Sequence, residues 1–218
     1  MASIIYAILY RYPDTVISEY SKAQGNFPQI TRNIITKVPK NGKFSYSYNE
    51  SFVYHYISEN NFMFMCLADV EFNKRAAFIF LEDLKNKFFT KYSKIANTVI
   101  AFGIHSEFVN TIKERMDFYS SNKNIDKLSA LKETVEQTKN VLLENIDKVL
   151  ARGEKVELLV KKTEHMSDQA VSMKKRAIMV KRKMWMQNIR MYAICGCLVL
   201  LLIVLVVMSV CSTDFSEC

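Results

Sequence analysis

The sequence predicts an α+β domain with a five-stranded antiparallel sheet flanked by helices, then a long coiled-coil helix and a single C-terminal transmembrane helix. Three observations carry this expectation. Composition changes near residue 120, from an aromatic-rich part to one dominated by charges and heptads. From Leu128 the chain repeats a seam at alternating steps of three and four residues. Met191 to Thr213 then holds 23 residues without a single charge.

The first part alternates strand and helix signals. Ser3 to Tyr10 is almost continuously apolar, as a central strand covered on both faces would be. Asp14 follows Pro13 at a turn, and Val16 to Tyr20 returns as a second strand. Phe27, Ile30, Ile34 and Val38 recur at helical spacing, with Pro28 in the first turn and Pro39 as terminator. After the Asn41-Gly42 turn, Phe44, Tyr46 and Tyr48 alternate as a strand, as do Phe52, Tyr54 and Tyr56 before Glu59-Asn60-Asn61. Phe62 to Val70 makes another strand. Ala77, Phe80, Leu81, Leu84 and Phe88 form the buried face of a helix over about 73–92, and Phe108, Ile112, Met116 and Tyr119 mark a further one. The expected organisation is an α+β domain over 1–119, a linker at 120–125, a coiled-coil segment at 126–186, an anchor at 191–211 and a short tail at 212–218.

The seam of the second part reads Leu128, Leu131, Val135, Thr138, Leu142, Asn145, Val149, Arg152, Val156, Leu159, Thr163, Met166, Ala170, Met173, Ala177 and Val180. Twelve of its sixteen positions are apolar, and Arg152 is its sole charge. An average spacing of 3.5 residues is that of helices that supercoil on partners. A buried cation needs polar groups opposite it, so the seam implies other helices that present them to Arg152. A solitary helix has nothing to bury this stripe against; without partners, the segment is expected to stay largely unstructured or to borrow another apolar surface. Gly153 is unfavourable in a helix interior by about 1 kcal/mol and points to local plasticity or close packing beside Arg152.

The net charge of +8 is mostly one cluster. Residues 174–190 carry seven basic groups and no acid, including Lys181, Arg182, Lys183 and Arg190, with Trp185 among them. The cluster abuts the uncharged stretch, which as a helix spans roughly 34 Å at about 1.5 Å per residue, enough for a bilayer core. Cations on the N-terminal side place that side in the cytosol. No signal peptide is read at the N-terminus, so the expected topology is single-pass, tail-anchored (type IV) with a cytosolic N-terminus. The cluster is either topogenic charge or a site for anionic headgroups; its confinement to the membrane edge argues against nucleic acid. Cys66 reads as a reduced core thiol. Cys195 and Cys197, at the cytosolic edge of the span, are either acylation sites or small apolar filler. Cys211 and Cys218 could pair in a lumenal tail. Asn49-Glu50-Ser51 would stay bare of glycan in the cytosol. His55, His105 and His165 lack metal-ligand spacing, no phosphate loop is present, and neither catalysis nor a cofactor is expected.

The segment VLLENIDKVLARGEKVELLVKKTEHM (141–166) closely resembles the R-SNARE motif of the vesicle-associated membrane proteins, with Arg152 where that family has its central arginine. GNFPQITRNIITKVP, KFSYSYNESFVYHYI and FNKRAAFIFLEDLKNKF resemble a longin domain. Together they identify the chain as similar to the longin-type R-SNAREs over essentially its whole length. The resemblance implies a profilin-like α-β-α sandwich, and a SNARE helix that joins three glutamine-SNARE helices, syntaxin-like and SNAP-like, in a parallel bundle that fuses membranes. Arg152 would meet three glutamines there, and Thr138 and Asn145 hold layer positions that tolerate polar residues. It also implies a longin domain that can fold back on the SNARE helix and that binds trafficking adaptors, with Phe44 and Tyr46 as groove candidates; ordinary sheet packing is the alternative for both. Vesicles, late endosomes and lysosomes, with the plasma membrane as a further destination, are the implied location. The competing reading is a tail-anchored coiled-coil tether, or a regulatory SNARE that does not itself drive fusion. A tether has no need of one cation at mid-seam.

Overall fold

The computed structural model describes residues 2–121, 141–151, 153–161 and 201–202. In the first of these stretches, strands β1 (Ile4–Arg11) and β2 (Thr15–Ser21) form a hairpin, and a two-residue strand β3 (Gln24–Gly25) leads into helix α1 (Phe27–Ile35). Strands β4 (Gly42–Ser47), β5 (Phe52–Glu59) and β6 (Phe62–Asp69) follow as a meander, then helices α2 (Lys74–Tyr92) and α3 (His105–Ser121). The β5–β6 loop is Asn60-Asn61, both at positive φ (52° and 68°), closed by the Glu59–Phe62 pair. Two residues in the left-handed region suit the twist of a tight hairpin, and asparagine tolerates that region better than most side chains. Asn73 caps α2, accepting from the backbone N–H groups of Arg75 and Ala76. Helix α3 runs through Ser121, two residues into the segment read as linker.

The strand order is β2-β1-β6-β5-β4-β7, where β7 (Leu143–Asn145) comes from the second part of the chain. The five strands that the first part contributes to this sheet, β1, β2, β4, β5 and β6, pair antiparallel, as expected of strands joined mainly by tight turns. The sixth, β7, lies parallel to β4. The sheet is therefore mixed, not purely antiparallel, because the open edge of β4 accepts a strand that arrives from far along the chain.

Each face of the sheet carries its own apolar cluster. On one, α2 and α3 cover Leu9, Ile17, Phe64 and Cys66, with Phe62, Phe64, Phe88 and Phe108 in edge-to-face or tilted contacts. The helical faces read from the sequence are the buried ones: Ala77, Phe80, Leu81, Leu84 and Phe88 on α2, and Phe108, Ile112, Met116 and Tyr119 on α3. On the other face, α1 packs over Tyr6, Ile8, Tyr54, Met65 and Leu67. With nine residues, α1 is only about 14 Å long at ~1.5 Å per residue, shorter than either helix opposite. It leaves the β4 side of this face for something else to cover.

That cover is the second part of the chain. The described residues 141–161 are not the α-helix expected for them. They form β7, a single 3-10 turn (Ile146–Lys148), a turn around Gly153 and a two-residue strand β8 (Val160–Lys161) that pairs antiparallel with β3. The physical reason lies off the seam: Ile146, Leu150 and Leu158 bury themselves in the α1-face cluster of the domain, and β7 adds to the β4 edge, so tertiary contacts override the helical spacing. A Cβ built on Gly153 meets nothing within 4 Å, so close packing does not explain that glycine in this arrangement. Among the described residues no helix is long and apolar enough to cross a membrane. The expected span at 191–211 lies outside them except for Leu201 and Leu202, which are helical.

Candidate functional site

The site is the groove between α1 and the β4 edge, together with the segment lying in it. Tyr46 is buried and Phe44 half-buried on β4, and with Tyr56 of β5 they form a stack of nearly parallel rings, centroids 5.4 to 6.3 Å apart. Burial raises the pKa of Tyr46 above its ordinary value, so it stays an uncharged phenol. These rings belong to the same cluster as Ile146, Leu150 and Leu158.

The segment enters beside α2, where Lys74 Nζ donates to the Val141 carbonyl at 2.7 Å. Ser45, Tyr46 and Ser47 of β4 pair with Leu143, Glu144 and Asn145, and the Ser47 hydroxyl adds a bond to the Glu144 carbonyl at 3.2 Å. Asn145 then caps the 3-10 turn by accepting from Asp147 N at 2.9 Å. Ile146 and Leu150, one turn apart, are fully buried. The chain reverses where Glu154 N donates to the Ala151 carbonyl at 2.8 Å and the Glu154 carboxylate accepts from Ala151 N at 3.1 Å. Lys37, just after α1, forms an ion pair with the same carboxylate. Hydrogen bonds from Lys37 and from Ala151 N hold the Glu154 pKa below its ordinary value. Beyond the turn, Tyr48 Oη donates to the Val156 carbonyl at 2.6 Å. Asn26, at the start of α1, binds the backbone of Glu157 and Leu159, and β3 pairs with β8.

The seam and the docked face differ. Leu142, Val156 and Leu159, all seam positions, are 75%, 55% and 53% exposed, whereas Ile146, Leu150 and Leu158 are 0%, 4% and 7% exposed. Asn145 is exposed and Val149 half-buried. Arg152 lies outside the described residues, as do Leu128, Leu131, Val135, Thr138, Thr163, Met166, Ala170, Met173, Ala177 and Val180. So do Lys181, Arg182, Lys183, Trp185, Arg190, Cys195 and Cys197. Sequence reasoning missed Tyr48, Lys37, Gly25, Asn26, Ile146, Leu150 and Leu158. A signal for the last three was present: Ile146, Leu150 and Leu158 are apolar beyond what the seam requires. For the backbone-binding residues no local signal exists.

Other polar clusters serve the fold. Glu19 is buried between the Tyr6 hydroxyl, 2.5 Å away, and Arg32 of α1, 2.6 Å away. His55 meets the Ser45 hydroxyl at 2.8 Å, and His105 meets that of Ser18 at 3.1 Å. Among the described residues, no group of His, Cys, Asp and Glu could hold a metal ion.

Residues 17–112 match the Longin family model, a Regulated-SNARE-like domain, and residues 127–207 match the Synaptobrevin model. Vesicle-associated membrane protein 7B of Dictyostelium discoideum is 37% identical over 210 residues, covering 95% of this chain and 80% of that protein. Vesicle-associated membrane protein 7 of Homo sapiens is 31% identical over 210 residues, with 96% and 94% covered. Vesicle-associated membrane protein 714 of Arabidopsis thaliana is 29% identical over 212 residues, with 96% and 95% covered. A longin domain followed by a synaptobrevin region in one chain defines a longin-type R-SNARE. The chain belongs to the vesicle-associated membrane protein 7 family: it is a vesicle R-SNARE acting in membrane trafficking and fusion, partners other SNARE helices, and is not an enzyme.

Proposed function

We propose that the longin domain holds the chain's own SNARE segment in a closed, non-helical state, and that its release lets residues 126–186 zipper with three glutamine-SNARE helices. The observation that carries this reading is the placement of 143–151 and 153–158 on the groove, with β7 on the β4 edge and Ile146, Leu150 and Leu158 in the α1-face cluster. One backbone cannot be extended against β4 and helical in a bundle at once, so docking and assembly exclude each other. Phe44 and Tyr46 line the groove for the segment and, once it leaves, for trafficking adaptors. In the bundle Arg152 forms the central layer against three glutamines, with the remaining seam residues as layers on either side. The 191–211 stretch anchors the chain by its tail. Lys181, Arg182, Lys183, Trp185 and Arg190 meet the cytosolic headgroups, and the membranes served are those of late endosomes and lysosomes.

The test mixes the full chain, and a version lacking 1–119, with syntaxin-like and SNAP-like helices. Both should give a heat-resistant four-chain complex, the truncated form faster. Arg152→Ala should dissociate faster or lose register. No complex with any glutamine-SNARE set, or equal rates with and without the longin domain, would sink the reading.

A further inference from the structure

Asn26 makes three hydrogen bonds to the docked segment, and all of them go to backbone. Its Nδ2 donates to the Glu157 carbonyl at 2.8 Å, its Oδ1 accepts from Leu159 N at 2.8 Å, and its own N–H donates to the Leu159 carbonyl at 3.3 Å. The side-chain amide thus takes the place of a peptide unit in a neighbouring strand. Gly25 continues the pairing opposite Val160. A Cβ on Gly25 would lie 2.0 Å from the Leu159 carbonyl oxygen and 2.8 Å from the Phe27 ring, so only glycine lets the two backbones approach this closely. The side chain of Leu159 meanwhile points largely to solvent, and Glu157 is exposed.

Asn26 is also the N-cap of α1, a position where asparagine ordinarily accepts from the N–H of the second or third helical residue. It makes no such bond here. Pro28, second in the helix, has no N–H to offer, and the Gln29 N–H is satisfied by the Asn26 carbonyl at 3.1 Å. The side chain is therefore free to serve the segment.

In an α-helix the Glu157 carbonyl would accept from residue 161, and the Leu159 N–H would donate to residue 155. Both groups that Asn26 binds are consumed by helix formation. From this geometry we infer that Gly25-Asn26 is a conformation-reading clamp: it binds residues 157–160 through their extended backbone, with little regard to side chains, and lets go when helix propagates past Arg152. The clamp rests on the closed-state reading. It adds a second hold on the segment, beyond the β4 edge, at residues 157–160, which include the seam position Leu159.

Amide hydrogen exchange on the full chain in lipid nanodiscs tests this. In the wild type, amides at 143–150 and 157–161 should both be protected. Asn26→Ala should speed exchange at 157–161 roughly ten-fold, as loss of two hydrogen bonds implies, and leave 143–150 nearly unchanged. Gly25→Ala should act likewise. Asn26→Asp keeps the acceptor and a good capping residue but cannot donate to Glu157; its smaller acceleration decides the matter if the alanine variant disturbs α1. Leu159→Ser should keep its protection. Unchanged protection at 157–161 in both Asn26 variants overturns the clamp while leaving the closed state standing. Lost protection in Leu159→Ser overturns its indifference to side chains and so the clamp. Absence of protection at both stretches in the wild type overturns the closed state and the clamp together.

Discussion

The Tyr48 hydroxyl donates to the Val156 carbonyl across 108 residues of sequence, at 2.6 Å. Val156 is the seam residue that follows Arg152, and in a helix its carbonyl would accept from residue 160. Here the phenol takes that role while Val160 pairs with Gly25. Tyr48, a residue of the folded domain, thus occupies the acceptor that a helix through Val156 would use.

Tyr48→Phe keeps the ring and removes that bond. Leaving the Val156 carbonyl without its partner should weaken docking by about 0.5–1.5 kcal/mol. Assembly with glutamine-SNARE helices should then run a few-fold faster in stopped-flow fluorescence, with the melting temperature of the isolated longin domain unaltered. An unchanged rate would show that the bond does not restrain the segment.

Ile146 and Leu150 sit one residue past the seam positions Asn145 and Val149. Alanine at either should cost the docked state about 2–5 kcal/mol through lost burial and the cavity left behind. The melting temperature of the proposed bundle should change little, because neither side chain lies on the heptad seam. If both variants melt the bundle as strongly as Leu142→Ala does, the docked face and the seam are not separate.

The longin domain should lose stability as pH falls from 6.5. Burial, aided by the nearby Lys74 charge, pushes His55 from its ordinary 6.5 down to about 3, and burial lowers His105 as well. The unfolded chain therefore takes up protons that the folded one refuses, so unfolding gains from acid between 6.5 and about 3. Glu82, which burial would raise but Lys85 and Lys43 hold low, adds its own loss only below its ordinary 4.5. Thermal melts at about pH 7 and about pH 5 should show a drop that His55→Asn makes smaller; an equal drop in that variant would clear His55.

Cys66 is fully buried, and burial raises its thiol pKa well above the ordinary value. Iodoacetamide should leave the Cys66 peptide unmodified in the folded chain and label it after denaturation, as read by mass spectrometry. Rapid labelling under native conditions would mean that the sheet opens locally.

The strands and helices of the first part were legible because their signals are local. Phe52, Tyr54 and Tyr56 alternate, Phe108, Ile112 and Met116 recur at helical steps, and Asn60-Asn61 closes a turn. The groove was legible only as far as Phe44 and Tyr46, and those through resemblance. Tyr48 was legible only as one more aromatic of an alternating strand, and Gly25 and Asn26 carried no reading of their own. Their roles depend on groups more than a hundred residues away, and no window of sequence contains both partners.

By itself the sequence determined an α+β domain, a heptad seam centred on Arg152, a basic cluster and an uncharged stretch beyond it. Ile146, Leu150 and Leu158 are apolar off that seam, but nothing in the sequence assigned them a partner surface. Tertiary structure alone decided which of these side chains are buried and what shape the backbone takes. The physical reason lies in α1 and β4: a nine-residue helix leaves part of its sheet face bare, and an edge strand leaves hydrogen bonds unmade. β7 fills the edge while Ile146, Leu150 and Leu158 fill the face, and these contacts win over the helix that the spacing favours.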